Sequence, residues 1–351
     1  MIPAAQASLQ QAPSFATAAA GPTPPAAGAR WQALWRDAVR DPRELLALLG
    51  LSDAALALSD EAAAQFPLRV PRGFVARMLR GDPNDPLLRQ VLPLDEEMRP
   101  MPGFSLDAVG DGAAKAGHGV IRKYNGRALL IATGSCAIHC RYCFRRHFPY
   151  AEETAAAGGW RDAVAAIGED AGIDEVILSG GDPWSLATPK LEELTEALAQ
   201  VPHLKRLRIH TRLPVVLPER VDAALQAWIE RLPWPVAVVL HANHANEFDA
   251  EVEAAVRRLR ASGATLLNQA VLLRGVNDSV EALAALSERS YAAGVLPYYL
   301  HQLDRVQGSA HFEVGDERAR ELHRQLAARL SGYLVPKLVR EVAGDPGKRP
   351  L

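Results

Sequence analysis

Residues 175–200 read EVILSGGDPWSLATPKLEELTEALAQ. The run Glu175–Ser179 is short and apolar, as a buried strand is. Gly180-Gly181-Asp182-Pro183 breaks it, and a helical pattern follows over about 189–200. The same unit recurs on both sides. Further strand candidates are Ala128–Thr133, Arg206–Thr211, Val236–His241, Thr265–Leu272 and Leu296–Leu300. Helical patterns follow them over about 158–168, 218–231, 247–262, 279–293 and 316–331. Strands alternating with helices call for a parallel sheet with right-handed crossovers. Six such units predict a partial (β/α)6 TIM-like barrel of the α/β class, since closure takes eight. No G-x-G-x-x-G follows the first strand, which weakens the rival doubly wound sheet.

Upstream, residues 30–115 are expected to form a helical extension packed on the barrel, with a break at Pro42. Residues 1–29, rich in Ala, Pro, Gln and Ser, are expected to be a disordered tail. The barrel is assigned to 116–332 and a C-terminal segment to 333–351. The 351 residues hold 39 Lys+Arg against 41 Asp+Glu, a net charge of −2, which argues against a nucleic-acid binder. No stretch of eighteen apolar residues is present, so no membrane span is expected. Three cysteines cannot build a disulfide framework and point to the cytoplasm or to a metal site.

In a β/α barrel the chemistry sits at the C-terminal ends of the strands. The unusual residues here follow the strands: Cys136–Cys143, Ser179–Asp182, Arg212, His241–Asn246, Arg274–Asp278 and His301–Asp304. All three cysteines fall within Cys136-Ala-Ile-His-Cys140-Arg-Tyr-Cys143. Three thiolates on one tight loop can hold three irons of a 4Fe–4S cubane and leave the fourth open. Arg141, Arg145 and Arg146 would favour thiolates and an anionic cluster. A zinc site with His139 or His147 as fourth ligand is the rival reading.

The C-x3-C-x2-C spacing, with Tyr142 before the last cysteine, resembles the signature of radical S-adenosylmethionine enzymes. CRYCFRRHFPY (140–150) is more specific and resembles the lysine 2,3-aminomutase family. LSGGDP (178–183), LHANHANE (240–247), LLNQAVLLRGVND (266–278), PYYLHQLD (297–304), GSAHF (308–312) and SGYLVP (331–336) extend the resemblance over roughly residues 30–351. It implies an isomerase, an intramolecular aminotransferase. Its cofactors would be a 4Fe–4S cluster on Cys136, Cys140 and Cys143, S-adenosyl-L-methionine, and pyridoxal 5′-phosphate (PLP).

Residue roles follow from the resemblance. Lys348, in Gly344-Asp345-Pro346-Gly347-Lys348, would form the PLP Schiff base. Arg145 would bind the substrate α-carboxylate, and Asp304 and Glu341 its ε-ammonium. Glu341 stands where the family usually has Asp. Lys123 and Arg127 would bind PLP, with Gln269, His241, Asn243 and Arg274 as further candidates. Gly180, Gly181 and Asp182 resemble the loop that meets the methionine amino group. HFPY (147–150), FPLRVPRGF (66–74) and a chain end three residues after Lys348 favour the branch that makes (R)-β-lysine for elongation factor P. That branch acts with a partner ligase, on L-lysine, as a monomer or small homo-oligomer. The alternative is the free-lysine enzyme of lysine catabolism.

Overall fold

The computed structural model describes residues 27–53, 56–155 and 160–351. The tail expected over 1–29 therefore lies, up to residue 26, outside the described residues. Among the described residues, nine strands form one sheet in chain order: β1 (Val120–Ile121), β2 (Arg127–Thr133), β3 (Glu175–Gly180), β4 (Arg206–Thr211), β5 (Val236–Leu240), β6 (Thr265–Val271), β7 (Leu296–His301), β8 (Lys337–Arg340) and β9 (Arg349–Pro350). Strands β2 to β8 pair in parallel, while β1 and β9 pair antiparallel at the two edges. The sheet is open, with β1 and β9 at its ends.

The six expected strands are β2 to β7, each within one residue of its expected bounds. The seventh parallel strand, β8, was not expected. Lys337–Arg340 is only four residues long and no helix follows it, so it reads as tail until β7 offers its edge. The crossover helices are Arg161–Gly168, Thr188–Leu198, Ala223–Arg231, Ala250–Ala261, Val280–Ala293 and Asp316–Arg329. Three begin where an acceptor side chain takes an orphan N–H of the first turn: Asp222 from Leu225, Asp249 from Val252, Ser279 from Ala282. The Asp222 cap explains why the helix expected from 218 starts at Ala223. Pro218–Arg220 turns as a separate 3-10 segment.

Helices Ala27–Arg36 and Pro42–Leu49 open the extension, the second with Asp41 as its cap and Pro42 at its first position. Trp31, Leu45, Leu46, Phe74 and Leu87 from this region join Leu130, Leu178, Ile209 and Leu240 of the strands in a single buried cluster. Extension and barrel thus share one core, and the extension lies against the loop that carries the cysteines.

Candidate active site

The cysteine loop leaves β2 and is held from two sides. On one side Gly181 N–H donates to Thr133 O at 2.7 Å and Asp182 N–H to Ser135 O at 2.8 Å. A Cβ on Gly181 would stand 2.5 Å from Ser135 O, and one on Gly180, where φ is +111°, 2.6 Å from Thr133 O. Only glycine permits that approach. On the other side the extension segment Phe66–Arg69 closes on the loop. Arg69 Nη1 donates to Cys136 O at 3.1 Å, His139 N–H to Arg69 O at 3.0 Å, and Phe66 stacks on His139.

The thiols lie close enough to act on one another. Burial first, then the neighbouring thiols, push Cys136 well up and Cys143 up to about 11. The arginines beside them in sequence divide. Arg141 and Arg146 both pair with buried Glu97 of the extension, at 2.6 and 2.8 Å. Arg145 turns into the barrel. The guanidinium bonded to a cysteine sulfur belongs instead to Arg212, after β4, whose Nη1 lies 2.7 Å from Cys140 Sγ.

Across the barrel mouth a second group gathers. Lys348, just before β9, donates to Glu341 Oε2 at 2.9 Å and lies 5.7 Å over the Tyr299 ring. Lys123 Nζ reaches Glu341 Oε1 at 3.5 Å and Asp111 Oδ1 at 2.7 Å. Arg145 Nε donates to Asp111 Oδ2 at 2.7 Å and its Nη1 to Ser179 Oγ at 3.2 Å. Burial works to raise the Asp111 carboxyl, but Arg145 and Lys123 outweigh it and hold the carboxyl below its usual value. Glu341 is likewise held low, chiefly by Lys348 against its burial. Asp304 goes the other way. Burial pushes it up to about 7, although Lys348 pulls it down.

Inside the mouth lie His210, His241, Gln269 and His301. Burial holds His210 and His301 well below the usual histidine value and His241 down at about 4, so all three rings are neutral. His210 Nε2, His301 Nε2 and Gln269 Oε1 are buried with no protein hydrogen-bond partner. Unpartnered buried polar atoms call for a polar ligand.

The profile of the Radical SAM superfamily matches residues 130–286. The chain is 48% identical over 322 residues to a protein of Escherichia coli K12 named L-lysine 2,3-aminomutase, covering 92% of this chain and 94% of that one. A Haemophilus influenzae protein of the same name is 43% identical over 91% of this chain and 94% of its own length. One from Acetoanaerobium sticklandii is 33% identical over 77% of this chain and 65% of its own length.

The chain belongs to the L-lysine 2,3-aminomutase family. It is thus a radical SAM isomerase by family, which implies a 4Fe–4S cluster and S-adenosylmethionine. The residues present fit a cluster: three mutually close thiols on one loop, with a cationic donor at one sulfur. Among the described residues no group of three or more His, Cys, Asp or Glu is arranged to hold a single metal ion. A cubane takes each cysteine at a different iron, so its ligands stand around a cluster and do not converge on one point. The mouth gathers a lysine, two further cations and three unpartnered buried polar atoms, a lining that suits an anionic, polar ligand.

Most expected site residues lie in or beside this mouth, in differing positions. Arg127 opens β2 with its guanidinium 4.6 Å from the Tyr124 ring, next to the Lys348 group. Asn243 lies lower, donating to Gln90 and Tyr142 under the cysteine loop. The Asp182 carboxylate is fully engaged inside the protein by Trp184 N–H, Thr211 Oγ1, Arg212 N–H and Leu213 N–H. It shapes the loop and does not present an oxygen to the mouth. Arg274 stands exposed after β6, its backbone N–H donated to Phe312, apart from the other candidates. Sequence reasoning missed Asp111, Tyr124 and His210. Asp111 had no motif around it, and His210 carried only the signal of a histidine at a strand's C-terminal end.

Proposed function

We propose that this chain converts L-lysine to (R)-β-lysine by moving the amine from C2 to C3, with PLP on Lys348, in support of elongation factor P modification. The observation that carries the reading is Lys348 at the mouth, 2.9 Å from Glu341, with Asp304, Lys123 and Arg145 around it. When bound, the cluster with S-adenosylmethionine supplies a radical that abstracts hydrogen, and PLP spreads the unpaired electron during migration.

The chain's own residues bind, orient and keep out water. Arg145 holds the α-carboxylate, with Ser179 and Asp111 fixing the guanidinium plane. In the lysine-free protein the Lys348 ammonium stands against Glu341. Glu341 and Asp304 would accept the substrate's ε-ammonium. His210 and His241, both neutral, meet through Nδ1 and Nε2 at 3.4 Å, which leaves His210 Nε2, with His301 Nε2, to face cofactor atoms. Cys136, Cys140 and Cys143 would hold the cluster, and the close approach of Gly180-Gly181 fixes the loop that carries them. The elongation factor role rests on HFPY and FPLRVPRGF. The second of these closes on the cysteine loop through Phe66 and Arg69.

The test is an anaerobic assay with iron, sulfide, PLP, S-adenosylmethionine, a strong one-electron reductant and L-lysine. (R)-β-lysine is the expected product. Deoxyadenosine without β-lysine would move the substrate to another amine. No iron and no deoxyadenosine would return the cysteines to the zinc reading.

A further inference from the structure

Arg212 is 5% exposed, with both terminal nitrogens bonded and Nε buried without a partner. Its Nη1 lies 2.7 Å from both Cys140 Sγ and Tyr142 Oη. Its Nη2 donates to Gln90 Oε1 at 2.6 Å and Glu247 Oε2 at 2.9 Å. Its backbone N–H donates to Asp182 at 2.7 Å, and the rings of Phe74 and Tyr142 lie 5.5 and 5.8 Å from the guanidinium carbon. Gln90 and Phe74 come from the extension, Tyr142 from the cysteine loop, and Glu247 from the loop after β5. Glu247 is itself fixed: its Oε1 accepts the backbone N–H groups of Asn243 at 2.8 Å and His244 at 3.1 Å. The guanidinium therefore has one orientation, and in it a charged N–H points at a cysteine sulfur.

We propose that Arg212 is the hydrogen-bond donor that sets the reduction potential of the cluster bound through Cys140, and that Glu247 is the countercharge positioning it. The proposal rests on the reading that the three cysteines hold the cluster. Reduction adds one electron, from an external low-potential donor, and makes cluster and thiolates more negative. A buried cation bonded to a ligand sulfur stabilises that state more than the oxidised one and raises the potential. Low local dielectric strengthens the effect. The arginines nearest the cysteines in sequence do not do this: Arg141 and Arg146 are turned to Glu97, and Arg145 to Asp111.

The experiment uses full-length protein, reconstituted anaerobically, without lysine. The reduced fraction is read by electron paramagnetic resonance at a series of poised potentials. In Arg212→Gln the reduced-to-oxidised ratio at fixed potential falls about tenfold, the weight of one charge-assisted hydrogen bond. For a one-electron couple that is about 59 mV downward. Arg212→Lys, which keeps the charge and loses the fork, shifts less. Glu247→Gln, which unmasks the guanidinium charge, shifts the ratio upward. A merely structural role does not give opposite signs at two members of one ion pair. Because both side chains are buried, a second measurement uses wild-type protein. With 15N-arginine incorporated, the reduced cluster shows a pulsed-resonance coupling to 15N. Unmoved potentials in folded variants, or no 15N coupling in wild type, overturn the role of Arg212 alone. Failure of wild-type protein to assemble any iron overturns the cysteine reading beneath it as well.

Discussion

On the proposed reading, lowering the pH from 8 to 6 should weaken lysine binding through Asp304. An ordinary aspartate titrates near ~4 and would stay ionised across this range. Burial moves Asp304 up to about 7, with Lys348 only partly offsetting it. A carboxyl with that value is roughly nine-tenths ionised at pH 8 and one-tenth at pH 6. Only the ionised form adds the Asp304 charge to that of Glu341, so affinity falls by at most about tenfold between the two, or ~1.4 kcal/mol. Binding at pH 7 also releases about half a proton, since the ammonium favours the ionised form.

The sign for stability is opposite. Because the folded value lies above the unfolded one, the folded protein binds more protons between pH ~4 and ~7. The contribution of Asp304 to stability is thus present below ~4 and lost as pH rises through ~7. The assay compares wild type with Asp304→Asn from pH 6 to 8, reading KM for lysine and the urea midpoint of lysine-free protein. The PLP chemistry has its own pH dependence, which both proteins share, so the ratio isolates Asp304. The ratio should change by up to about tenfold, and the variant should be the more stable protein at pH 8. A constant ratio with unchanged relative stability would refute the assignment.

Other outcomes follow from single contacts. Glu97→Ala strands Arg141 and Arg146, both buried, and should cost about 3–5 kcal/mol in urea unfolding. Gly181→Ala sets a Cβ 2.5 Å from Ser135 O and should lower the iron bound per chain after reconstitution. Lys348→Ala should abolish the borohydride-reducible PLP adduct and remove activity, since Lys348 stands 2.9 Å from Glu341 where Lys123 reaches it only at 3.5 Å. A PLP adduct that survives in that variant would place the Schiff base elsewhere.

Strands β2 to β7 were legible because burial leaves a local mark: an apolar run ended by a turn, then a helix of period 3.6. β8 was not legible because its four residues acquire strand character only from the edge of β7. The cysteine loop was legible because its three cysteines fall within eight residues of the chain. The resemblance supplied Lys348, Arg145, Asp304 and Glu341, and the fold brings Lys348 and Glu341 into contact. Asp111 was invisible because its meaning is a distance to Arg145, 34 residues away.

By itself, then, the sequence determined the β/α alternation, the cluster loop and the family, all properties of neighbouring residues or of ordered motifs. Only the tertiary structure decided where the charges point. Arg141, next to Cys140, is drawn off by buried Glu97. Arg212, 72 residues from Cys140, is turned onto its sulfur by Glu247, Gln90 and Tyr142. A side chain's direction is set by the partners that burial forces on it, and those partners come from segments far apart in the chain.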